Sequence, residues 1–562
     1  MAHAQAPPAA LPPSVEPGRL QQQFQPGETA PNAAPQIDIP QMPGNAVPEG
    51  ADNVHLALAS ITIDGATVYD AATLSAMTAA YIGKPIVLGD LFQLADRITE
   101  RYRSDGYVLS RAVVPAQHIT NAARIVVVEG FVSGVHVDGY DTKRIEAYGR
   151  RIKASRPLRA AILERYMLLI NDLPGVSARA VLSPSADVAG GATLTIVSRH
   201  AAADGNVSVD NRGTRYIGPV QLYSGAGANI PGDQSGIPLA DGRVSFRAIT
   251  TPSIRELRYG EFSITEPIGT DGLRLVLFGS QSWSNPGYKL SPAFTGLANG
   301  TDSYGSTYMA TLSYPVIRSR DENLELRAAA SALDSQSVTN GDPALPPSSD
   351  DHLRVVQLGM TYDRADRWNG VNLLTLQESD GLPILGASAF DHATPTRLFE
   401  RSDFRKVLGE ASRQQDLSAF AAGWGALAAI AAQRSLGGAL PSSQQFGVGG
   451  PIYGRAYDPS DIIGDNGLAG RTELQYTRAA PGYGLDSVQP YGFFDTAHVY
   501  HNVASAGPQH LSSAGGGVRA TVEERFSADL QIAKPLTRDL SIELDQPNAR
   551  PWRFFFALSA QF

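Results

Sequence analysis

The sequence of 562 residues contains no cysteine, which excludes disulfide bonds, thiolate metal sites and cysteine nucleophiles. No window approaches 18 consecutive apolar residues, and the longest candidate, residues 419–432, is too short to cross a bilayer as a helix. Any passage through a membrane must therefore use a closed barrel. The chain also lacks a basic cluster, and its net charge of −9 argues against nucleic acid as a partner.

Glycine and proline are abundant, with 55 and 38 residues, which favours a turn-rich β protein. A chain of this length is expected to form several domains. Residues 7–48 are rich in Pro, Gln and Ala and cannot bury enough apolar surface to order themselves. Within them, residues 18–25 have room for two helical turns. Because a short isolated helix is marginal in water, we expect a flexible tether here.

The extreme N-terminus carries a weak targeting pattern. Residues 2–6 (AHAQA) resemble the small-residue cleavage region of a secretory signal, although the charged and apolar parts are missing. Either the sequence begins near the mature N-terminus or the true start lies upstream. An ordinary Ala-rich tail is an equal alternative.

Residues 54–200 contain the element order β-α-α-β-β twice, and such a recurrence is stronger evidence than any single element. In the first copy an amphipathic helix carries its apolar stripe on Leu91, Ala95, Ile98 and Tyr102. In the second copy the stripe is predicted on Leu158, Ile162, Tyr166 and Leu169. We predict two α+β modules, at 54–130 and 131–203. Each is expected to have an antiparallel sheet whose exposed edge can accept an extended peptide.

After about residue 200 the helical periodicity fades. Short segments that alternate polar and apolar residues follow one another, for example at 520–533, and Asp, Asn, Gly and Pro separate them. Sixteen strands over residues 201–562 would leave about 23 residues for each strand with its connection. That spacing fits strands of about 10 residues with short turns at one end and long loops at the other, as in a membrane barrel.

The last residues of the chain carry the clearest strand pattern. One face presents residues suited to lipid, namely Trp552, Phe554, Phe556, Leu558, Ala560 and Phe562. The other face suits a polar lumen, with Arg553, Phe555, Ala557, Ser559 and Gln561. A soluble β-sandwich is the alternative. The aromatic C-terminus resembles the C-terminal signature of bacterial outer-membrane barrels and favours the barrel.

Residues 444–476 form the most informative stretch of the chain. It opens with a glycine cluster that includes Gly449 and Gly450, and glycine permits backbone turns that other residues avoid. One arginine, Arg455, stands between small residues, and residues 471–476 then alternate as a strand. We predict a long, shaped loop at about 447–470. A loop of more than ~15 residues without structure of its own is usually functional or disordered.

A second stretch, residues 489–499, places Asp495 on the same strand face as Tyr491 and Phe493. A carboxylate there needs a partner if it lies away from water. Arg455 is the natural candidate, because a guanidinium can hold a carboxylate with two parallel hydrogen bonds. The alternative is an exposed Asp and an exposed Arg that never meet, and composition alone favours that alternative.

With these motifs the chain resembles the outer-membrane transporters of two-partner secretion, the haemolysin secretion/activation family. Gly449-Gly450-Pro451 followed by Gly454-Arg455-Ala456-Tyr457 is similar to the family's Val-Arg-Gly-Tyr loop, which folds back into the barrel lumen. Phe493-Phe494-Asp495-Thr496-Ala497 is similar to its Phe-x-Asp-x-Gly strand, and residues 210–213 and 533–536 also fit. The chain departs from both motifs by having Ala456 and Ala497 in place of glycine. These changes concern the backbone geometry more than the ion pair.

The resemblance implies a mainly β fold: two periplasmic α+β POTRA modules followed by a 16-stranded transmembrane antiparallel β-barrel in the bacterial outer membrane. The barrel would span 204–562 and follow the modules and a Pro-rich tail at 1–53. In the family a short N-terminal helix can plug the barrel, and residues 18–25 match that helix weakly. The residues implied for the site are the loop motif Gly449, Gly450, Gly454, Arg455, Ala456 and Tyr457, the anchoring strand Phe493, Asp495 and Ala497, and the C-terminal signature Trp552, Phe554, Phe556 and Phe562.

The resemblance also implies protein export. A large unfolded partner protein would present its N-terminal secretion domain to a POTRA edge and thread through the barrel. No cofactor is implied, and Gly83-Lys84-Pro85 does not form a phosphate loop. The other implied partners are outer-membrane lipid and the barrel-assembly machinery. We expect neither nucleic acid nor a metal ion.

Other functional classes are less well supported by the residues. An enzyme is not expected, because the H-E-x-x-H, Gly-x-Ser-x-Gly and calcium-loop patterns are all missing. His498 and His501 lie on a predicted strand end with opposite orientations, so we interpret them as isolated surface histidines. A passive porin would explain the barrel but not the modules. A barrel insertase, the remaining alternative, usually carries more than two POTRA modules.

Overall fold

The computed structural model describes residues 13–24, 37–38, 45–232, 239–285, 301–339, 348–390, 392–503, 507–537 and 550–562. The pattern at residues 2–6 and most of the Pro-rich tail lie outside these ranges. Two α+β modules and a closed β-barrel make up the described part. None of the helices in these ranges combines the length and the apolar character needed to cross a membrane.

Five α-helices lie in the described ranges, and all are short or belong to the modules. They are α1 (Pro17–Phe24), α2 (Ala71–Thr78), α3 (Leu88–Ser104), α4 (Lys143–Lys153) and α5 (Ala160–Asn171). Short 3-10 helices occur at Pro13–Val15, Ala51–Asn53, Ala79–Tyr81, Ser442–Gln444 and Pro481–Tyr483. The module strands are β1 (Ile37–Asp38), β2 (His55–Ala57), β3 (Ser60–Asp64), β4 (Pro85–Val87), β5 (Arg111–Val113), β6 (Ala122–Val128), β7 (Phe131–Gly139), β8 (Val176–Pro184) and β9 (Gly191–His200).

In the first module, α3 covers a three-stranded sheet of order β3-β6-β5. The stripe predicted for this helix is confirmed, because all four of its residues are buried: Leu91, Ala95, Ile98 and Tyr102. Alternation along β6 directs Ala123, Ile125 and Val127 toward the same core. The apolar stripe and the alternating strand therefore fix how helix and sheet pack.

In the second module, the predicted helical stripe is correct only in part, since Leu158 and Leu169 are buried but the other two residues are not. Helix α5 buries Leu163, Met167 and Ile170, whereas Ile162 is half-buried and Leu158 precedes the helix. The sequence AAILERYMLLIN is apolar on most sides, so several stripes of period 3.6 fit it. Packing against α4 and against strand β8 of the module sheet selects the stripe that is buried.

The module sheets are mixed rather than antiparallel, which corrects a second expectation. In the second module the order is β1-β8-β9-β7, with β8 and β9 antiparallel but β7 and β9 parallel. Two helices and strand β8 lie between β7 and β9, and the turn from β8 to β9 restores the original chain direction, which makes β7 and β9 parallel. In the first module β3 and β6 are likewise parallel. The edge of β8 is occupied by Ile37 and Asp38, which pair with Ala180 and Val181.

The barrel consists of long antiparallel strands in sequence order. Its strands and the two strands of an internal hairpin, β21 and β22, are β10 (Ala203–Asp210), β11 (Gln221–Asn229), β12 (Arg243–Thr250), β13 (Leu257–Ile268), β14 (Leu273–Ser284), β15 (Thr301–Arg318), β16 (Glu322–Thr339), β17 (Ser349–Ala365), β18 (Gly370–Gly381), β19 (Arg405–Asp416), β20 (Trp424–Ser435), β21 (Phe446–Val448), β22 (Ile462–Gly464), β23 (Asn466–Tyr476), β24 (Arg478–Ala480), β25 (Leu485–Tyr500), β26 (Gln509–Val522), β27 (Phe526–Pro535) and β28 (Arg553–Gln561).

The barrel has sixteen strands. Segments β23 and β24 both pair with β25 and are separated by Thr477 alone, so they form one interrupted strand. The ring closes where β10 pairs with β28, from Asn206 opposite Gln561 to Asp210 opposite Ala557. The prediction of one segment over 520–533 is wrong, because β26 and β27 meet there in a tight turn. Glu523 and Glu524 have φ values of 51° and 54° in that turn. Glutamate rarely adopts a positive φ, so the sequence does not predict a turn there.

The second module docks on the turns at one end of the barrel. Arg318, the last residue of β15, donates two hydrogen bonds to Asp172, with Nη2 to Oδ1 at 2.7 Å and Nε to Oδ2 at 2.9 Å. Arg165 of α5 donates to the carbonyl oxygen of Pro315 at 2.9 Å, and Arg144 of α4 contacts Asp241 at 3.1 Å. These contacts define the module end of the barrel. Because the strands alternate in direction, residues 382–404 and 436–465 connect strands at the opposite end, which we call the far end.

Candidate functional site

The connection between β20 and β23 folds back into the barrel. It covers residues 436–465, so the predicted loop end at residue 470 is wrong, since Asn466 already begins β23. The loop is shaped by its own hairpin, in which Phe446 pairs with Gly464 and Val448 with Ile462. The tip of this hairpin, residues 449–461, reaches the inner faces of β23, β25 and β26. We call the whole segment the lumen loop.

Arg455 at the loop tip forms a two-pronged ion pair with Asp495 on β25. Its Nε lies 3.1 Å from Oδ2 of Asp495 and its Nη2 lies 2.8 Å from Oδ1. The backbone amide of Arg455 also donates to Oδ2 at 3.0 Å, and the guanidinium lies 3.7 Å from the ring centroid of Phe493. Arg455 is 6% exposed and Asp495 is 0% exposed. The alternative of two exposed side chains that never meet does not describe this structure.

The ion pair is part of a larger network on the barrel wall. Arg455 Nη1 also donates to Glu473 of β23, which is 4% exposed. Glu473 in turn accepts from Arg519 of β26 at 2.7 Å, and the Arg519 guanidinium lies 3.9 Å from the ring centroid of Tyr491. The network therefore places two cations against two carboxylates and two aromatic rings. Such pairing offsets part of the cost of removing charges from water.

A third carboxylate, Asp458, holds the loop tip to the barrel seam. Asp458 accepts from Arg553 of β28 at 2.6 Å and from Nε of Arg215, which follows β10, at 3.1 Å. Arg553 also donates to the carbonyl oxygen of Ala456 at 3.0 Å. Asp458 is completely buried. One loop residue thereby connects both sides of the seam where the first and last strands meet.

The glycines of the loop motif are required by its backbone. Gly449, Gly450 and Gly454 have φ values of 112°, 88° and 93°, in the region that favours glycine. A Cβ on Gly454 would lie 2.8 Å from Cδ1 of Leu511. Ala456 does not have a positive φ and is fully buried, so an alanine fits there without backbone strain. Ala497 on β25 is also fully buried and occupies an ordinary strand position.

Tyr457, the last residue of the loop motif, is anchored through both its hydroxyl and its backbone. The hydroxyl donates to the carbonyl oxygen of Ser512 at 2.8 Å and contacts Thr537 Oγ1 at 2.7 Å. The carbonyl oxygen of Tyr457 accepts from the amide of Gly450 at 3.1 Å. The structure thus brings the loop motif together with β25 and β26 at the centre of the wall.

The expectation of a flexible N-terminal tether is wrong for residues 13–24. Helix α1 lies inside the barrel, against β14, β15, β16 and the turn Ser442–Gln444. Its apolar residues Leu20 and Phe24 pack with Tyr259 of β13 and other wall residues. The wall supplies the partner that an isolated helix of eight residues lacks in water. Gln25, the last residue of the predicted helix, lies outside the described residues.

Polar contacts connect α1 to the base of the lumen loop. Arg19 is 1% exposed, and its Nη1 donates to the carbonyl oxygens of Ser442 and Gln445 at 2.6 and 3.1 Å. Its Nη2 donates to Ser460 Oγ at 3.2 Å. Glu16 accepts from the hydroxyl of Ser442. Helix and loop therefore form one interior assembly that fills part of the lumen.

The remaining predicted residues lie on the barrel wall. Trp552, Phe554 and Phe562 are exposed on the outer face, Phe556 is half-buried and Phe555 points inward and is buried. Strand β10 ends at Asp210, so residues 211–213 follow the strand, where Arg212 contacts Asp529 at 2.8 Å. The histidines are not isolated, which corrects that interpretation: the His498 ring stacks on His510, and His501 lies 3.2 Å from Arg397.

Several residues of this site were missed in the sequence. Glu473, Arg519, Asp458 and Arg553 complete the two networks, and Arg19 connects α1 to the loop. Glu473 and Arg553 stand in alternating strands on the face opposite the apolar residues, which indicates a lumen position. That signal identifies the face but not the partner, because the partners lie on other strands.

Comparisons with known families agree with this architecture. Residues 56–130 match the model of the POTRA domain, ShlB-type. Residues 278–520 match the model of the haemolysin secretion/activation protein ShlB/FhaC/HecB. Together the two matches span more than half of the chain.

Individual proteins are similar over shorter or longer stretches. The heme/hemopexin transporter protein HuxB of Haemophilus influenzae (strain 86-028NP) is 30% identical over 154 residues, which is 26% of this chain and 27% of that protein. This alignment spans only about a quarter of the relative's length. Another HuxB from Haemophilus influenzae is 23% identical over 506 residues, which covers 86% of this chain and 82% of that protein.

A solved structure shares the whole architecture. CdiB from Escherichia coli superposes with a TM-score of 0.71 at 20% identity, and the match covers 93% of each chain. At this level of identity the likeness supports the fold alone, namely two modules followed by a barrel.

Proposed function

Because this chain belongs to the haemolysin secretion/activation family of outer-membrane transporters, we propose that it recognises the N-terminal secretion domain of a large partner protein and exports that partner, unfolded, through its barrel. The POTRA modules then lie in the periplasm, where they meet the partner before it enters the barrel. The observation that carries this proposal is the buried network of Arg455, Asp495 and Glu473, which holds a long loop inside a sixteen-stranded barrel.

The interior assembly supports a gated path rather than an open pore. A passive porin needs a lumen that stays open, whereas here α1 and the lumen loop occupy it together. Helix α1 is tied to the loop base mainly through Arg19 and Glu16, and to the wall through Leu20 and Phe24. Export of a chain through this lumen requires at least α1 to leave its position.

Strand addition to β8 is the proposed mode of recognition. Strand β8 has nine residues, and within the described part of the chain β1 pairs with two of them, Ala180 and Val181. The side chains at that contact add one exposed ion pair, between Arg179 and Asp38 at 3.3 Å, which contributes little. An extended segment of the secretion domain that pairs with more of β8 replaces this two-residue contact at low cost.

The experiment is reconstitution of export in a host that lacks related transporters. A candidate partner with a secretion domain is produced with this chain, without it, or with a version from which residues 54–200 are removed. The partner is expected in the medium only with the full chain. If the barrel assembles and the partner stays inside, the export function is wrong, and dependence of other barrels on this chain would then favour the insertase.

Recognition is tested separately by binding of the purified secretion domain to the full chain in detergent. Substituting Ile37 and Asp38 together by glycine weakens the competing strand β1, so the affinity is expected to rise about 2- to 5-fold. Matched glycine substitutions at Ala116 and Gln117, in the loop after β5, leave β1 in place and serve as the control. Unchanged affinity in the Ile37/Asp38 variant contradicts strand addition at β8.

A further inference from the structure

We propose that Asp351, His392 and Glu400 form a binding site for a divalent transition-metal ion of the zinc type at the far end of the barrel. Asp351 stands near the start of β17. His392 and Glu400 belong to the connection between β18 and β19, which folds over that end. This inference does not depend on the proposed export function.

The donor atoms are arranged as ligands of one ion. Nε2 of His392 lies 3.2 Å from Oδ1 of Asp351 and 3.8 Å from Oε1 of Glu400. One ligand atom from each of the three residues lies within 4.8 Å of the others. Two ligands of a tetrahedral Zn²⁺, each about 2.0–2.2 Å from the metal, are separated by about 3.3–3.6 Å. The two distances from His392 Nε2 match that separation to within a few tenths of an ångström, and the two carboxylates lie close enough to close on the same ion.

The histidine is oriented as metal-binding histidines are. Its Nδ1 lies 3.0 Å from the carbonyl oxygen of Ala389, so Nδ1 carries the proton and donates it. In the neutral ring the lone pair of Nε2 then points at two carboxylates. Three acceptors cannot stabilise one another, so either a proton or a metal ion must lie between them. A metal ion meets that requirement and also uses the lone pair.

Burial makes this requirement stronger. Asp351 is 1% exposed and Glu400 is 6% exposed. Both carboxylates contact the hydroxyl of Thr396, which lies 2.9 Å from Glu400 Oε2. A hydroxyl has a single proton and can donate to only one of the two carboxylates. The backbone amide of Thr396, 3.4 Å from Asp351 Oδ1, is a further donor, but it too is neutral, and two buried carboxylates without a counter-charge are costly. A bound cation would supply that counter-charge.

An ion here would fix the far end of the barrel to the base of the lumen loop. The segment that supplies His392 and Glu400 also supplies Arg397, whose Nη2 donates to Asp465 at 3.1 Å at the end of that loop. The amide of Arg401 donates to the carbonyl oxygen of Ala439 at 3.0 Å at the beginning of the loop. Metal binding would thus join β17, the 382–404 connection and the lumen loop.

The test is metal binding by the full chain in detergent after treatment with a chelator. Titration with ZnCl₂, followed by calorimetry and metal analysis, is expected to give one tightly bound Zn²⁺ per chain. His392→Ala and Glu400→Gln should each weaken that binding at least 10-fold. His118→Ala, which removes an exposed histidine of the first module, should leave it unchanged. Ca²⁺, which prefers an all-oxygen site, should bind more weakly than Zn²⁺.

Thermal unfolding gives a second readout. Zn²⁺ is expected to raise the unfolding temperature of the wild-type chain and of His118→Ala, but not that of His392→Ala. Glu400→Gln keeps the shape of the side chain, so it serves as the decisive variant if His392→Ala does not assemble. The inference is overturned if the wild-type chain binds no Zn²⁺, or if Glu400→Gln binds it as tightly as the wild type.

Discussion

The guanidinium of Arg455 and the carboxylate of Asp495 meet through two parallel hydrogen bonds at the centre of the barrel wall, 40 residues apart in the chain. Both side chains are buried, and the second carboxylate, Glu473, accepts from the same guanidinium. Removing the arginine would therefore leave the buried Asp495 without its cation, while Glu473 would keep Arg519 and the strands of the barrel would keep their backbone pairs.

Arg455→Ala is expected to leave a folded barrel in the outer membrane and to lower export. The loss of an ion partner at a buried site costs on the order of 3–5 kcal/mol, which is enough to release the loop tip from β25. Export is measured as partner protein in the medium, normalised to the amount of assembled barrel. Arg405→Ala, which removes an exposed ion pair with Asp380, is the matched control. Normal export at normal barrel levels would contradict the role of Arg455.

Gly454→Ala is expected to destabilise the loop tip by roughly 1–3 kcal/mol, because φ is 93° there. The added Cβ would also lie 2.8 Å from Cδ1 of Leu511 and 3.2 Å from Cα of Gly449. Faster amide exchange at residues 449–457 measures the effect. Gly437→Ala changes the same loop where nothing lies within 4 Å of the new Cβ, so it should exchange like the wild type. Equal exchange in both variants would refute the argument from backbone strain.

A reversible cross-link tests whether α1 must leave the lumen. The chain has no cysteine, and a Cβ built on Gly18 lies 2.8 Å from Cβ of Ser443, so a small shift suffices for a disulfide between Gly18→Cys and Ser443→Cys. Oxidation is expected to stop export, and a reductant to restore it. Each single-cysteine variant is the control and should export in both conditions. Continued export by the fully oxidised double variant would mean that α1 can stay in place.

Glu129 gives the first module a pH-dependent contribution to stability. Burial alone would raise its pKa, but hydrogen bonds from Thr67, Tyr102 and Val68 lower the pKa below its ordinary value. A depressed pKa in the folded state means that the contribution is complete above the ordinary pKa and is lost as the pH falls through the lower, folded value.

Glu129→Gln is therefore expected to cost roughly 1 kcal/mol at pH 7, a figure reduced by solvent screening, and almost nothing under strongly acidic conditions. Denaturant unfolding of the full chain, followed through the amides of α3, measures the difference. Glu100→Gln, at an exposed position on α3 in the same module, should behave like the wild type at every pH. A cost that does not change with pH would show that the effect arises from packing rather than from the charge.

The parts of this structure that could be predicted from the sequence are the helices and strands in which apolar residues repeat with a regular spacing. Helix α3 has one apolar and one polar side, so only one orientation on the sheet buries its apolar residues. The prediction of its buried stripe is confirmed. The alternation from Trp552 to Phe562 likewise identifies an outer and an inner face. Helix α5 is apolar on most sides, and there the period leaves several faces open.

The turn at Glu523 and Glu524 was missed because its conformation is imposed by the two strands that it joins. The mixed sheets of the modules were missed for a related reason. Whether two strands run parallel depends on the path of the chain between them, and the residues of a strand do not indicate the direction of its neighbour.

The sequence by itself determined the class of the protein: modules followed by a barrel, a glycine-rich loop with one arginine, and a strand with one carboxylate. Only the tertiary structure decided which groups meet. It brought Arg455 to Asp495 and Glu473, Asp458 to Arg215 and Arg553, and His392 to Asp351 and Glu400. It also placed α1 in the lumen. The physical reason is that hydrophobic period is a property of one segment, whereas the pairing of charges depends on strand order and register, which are set when the barrel closes.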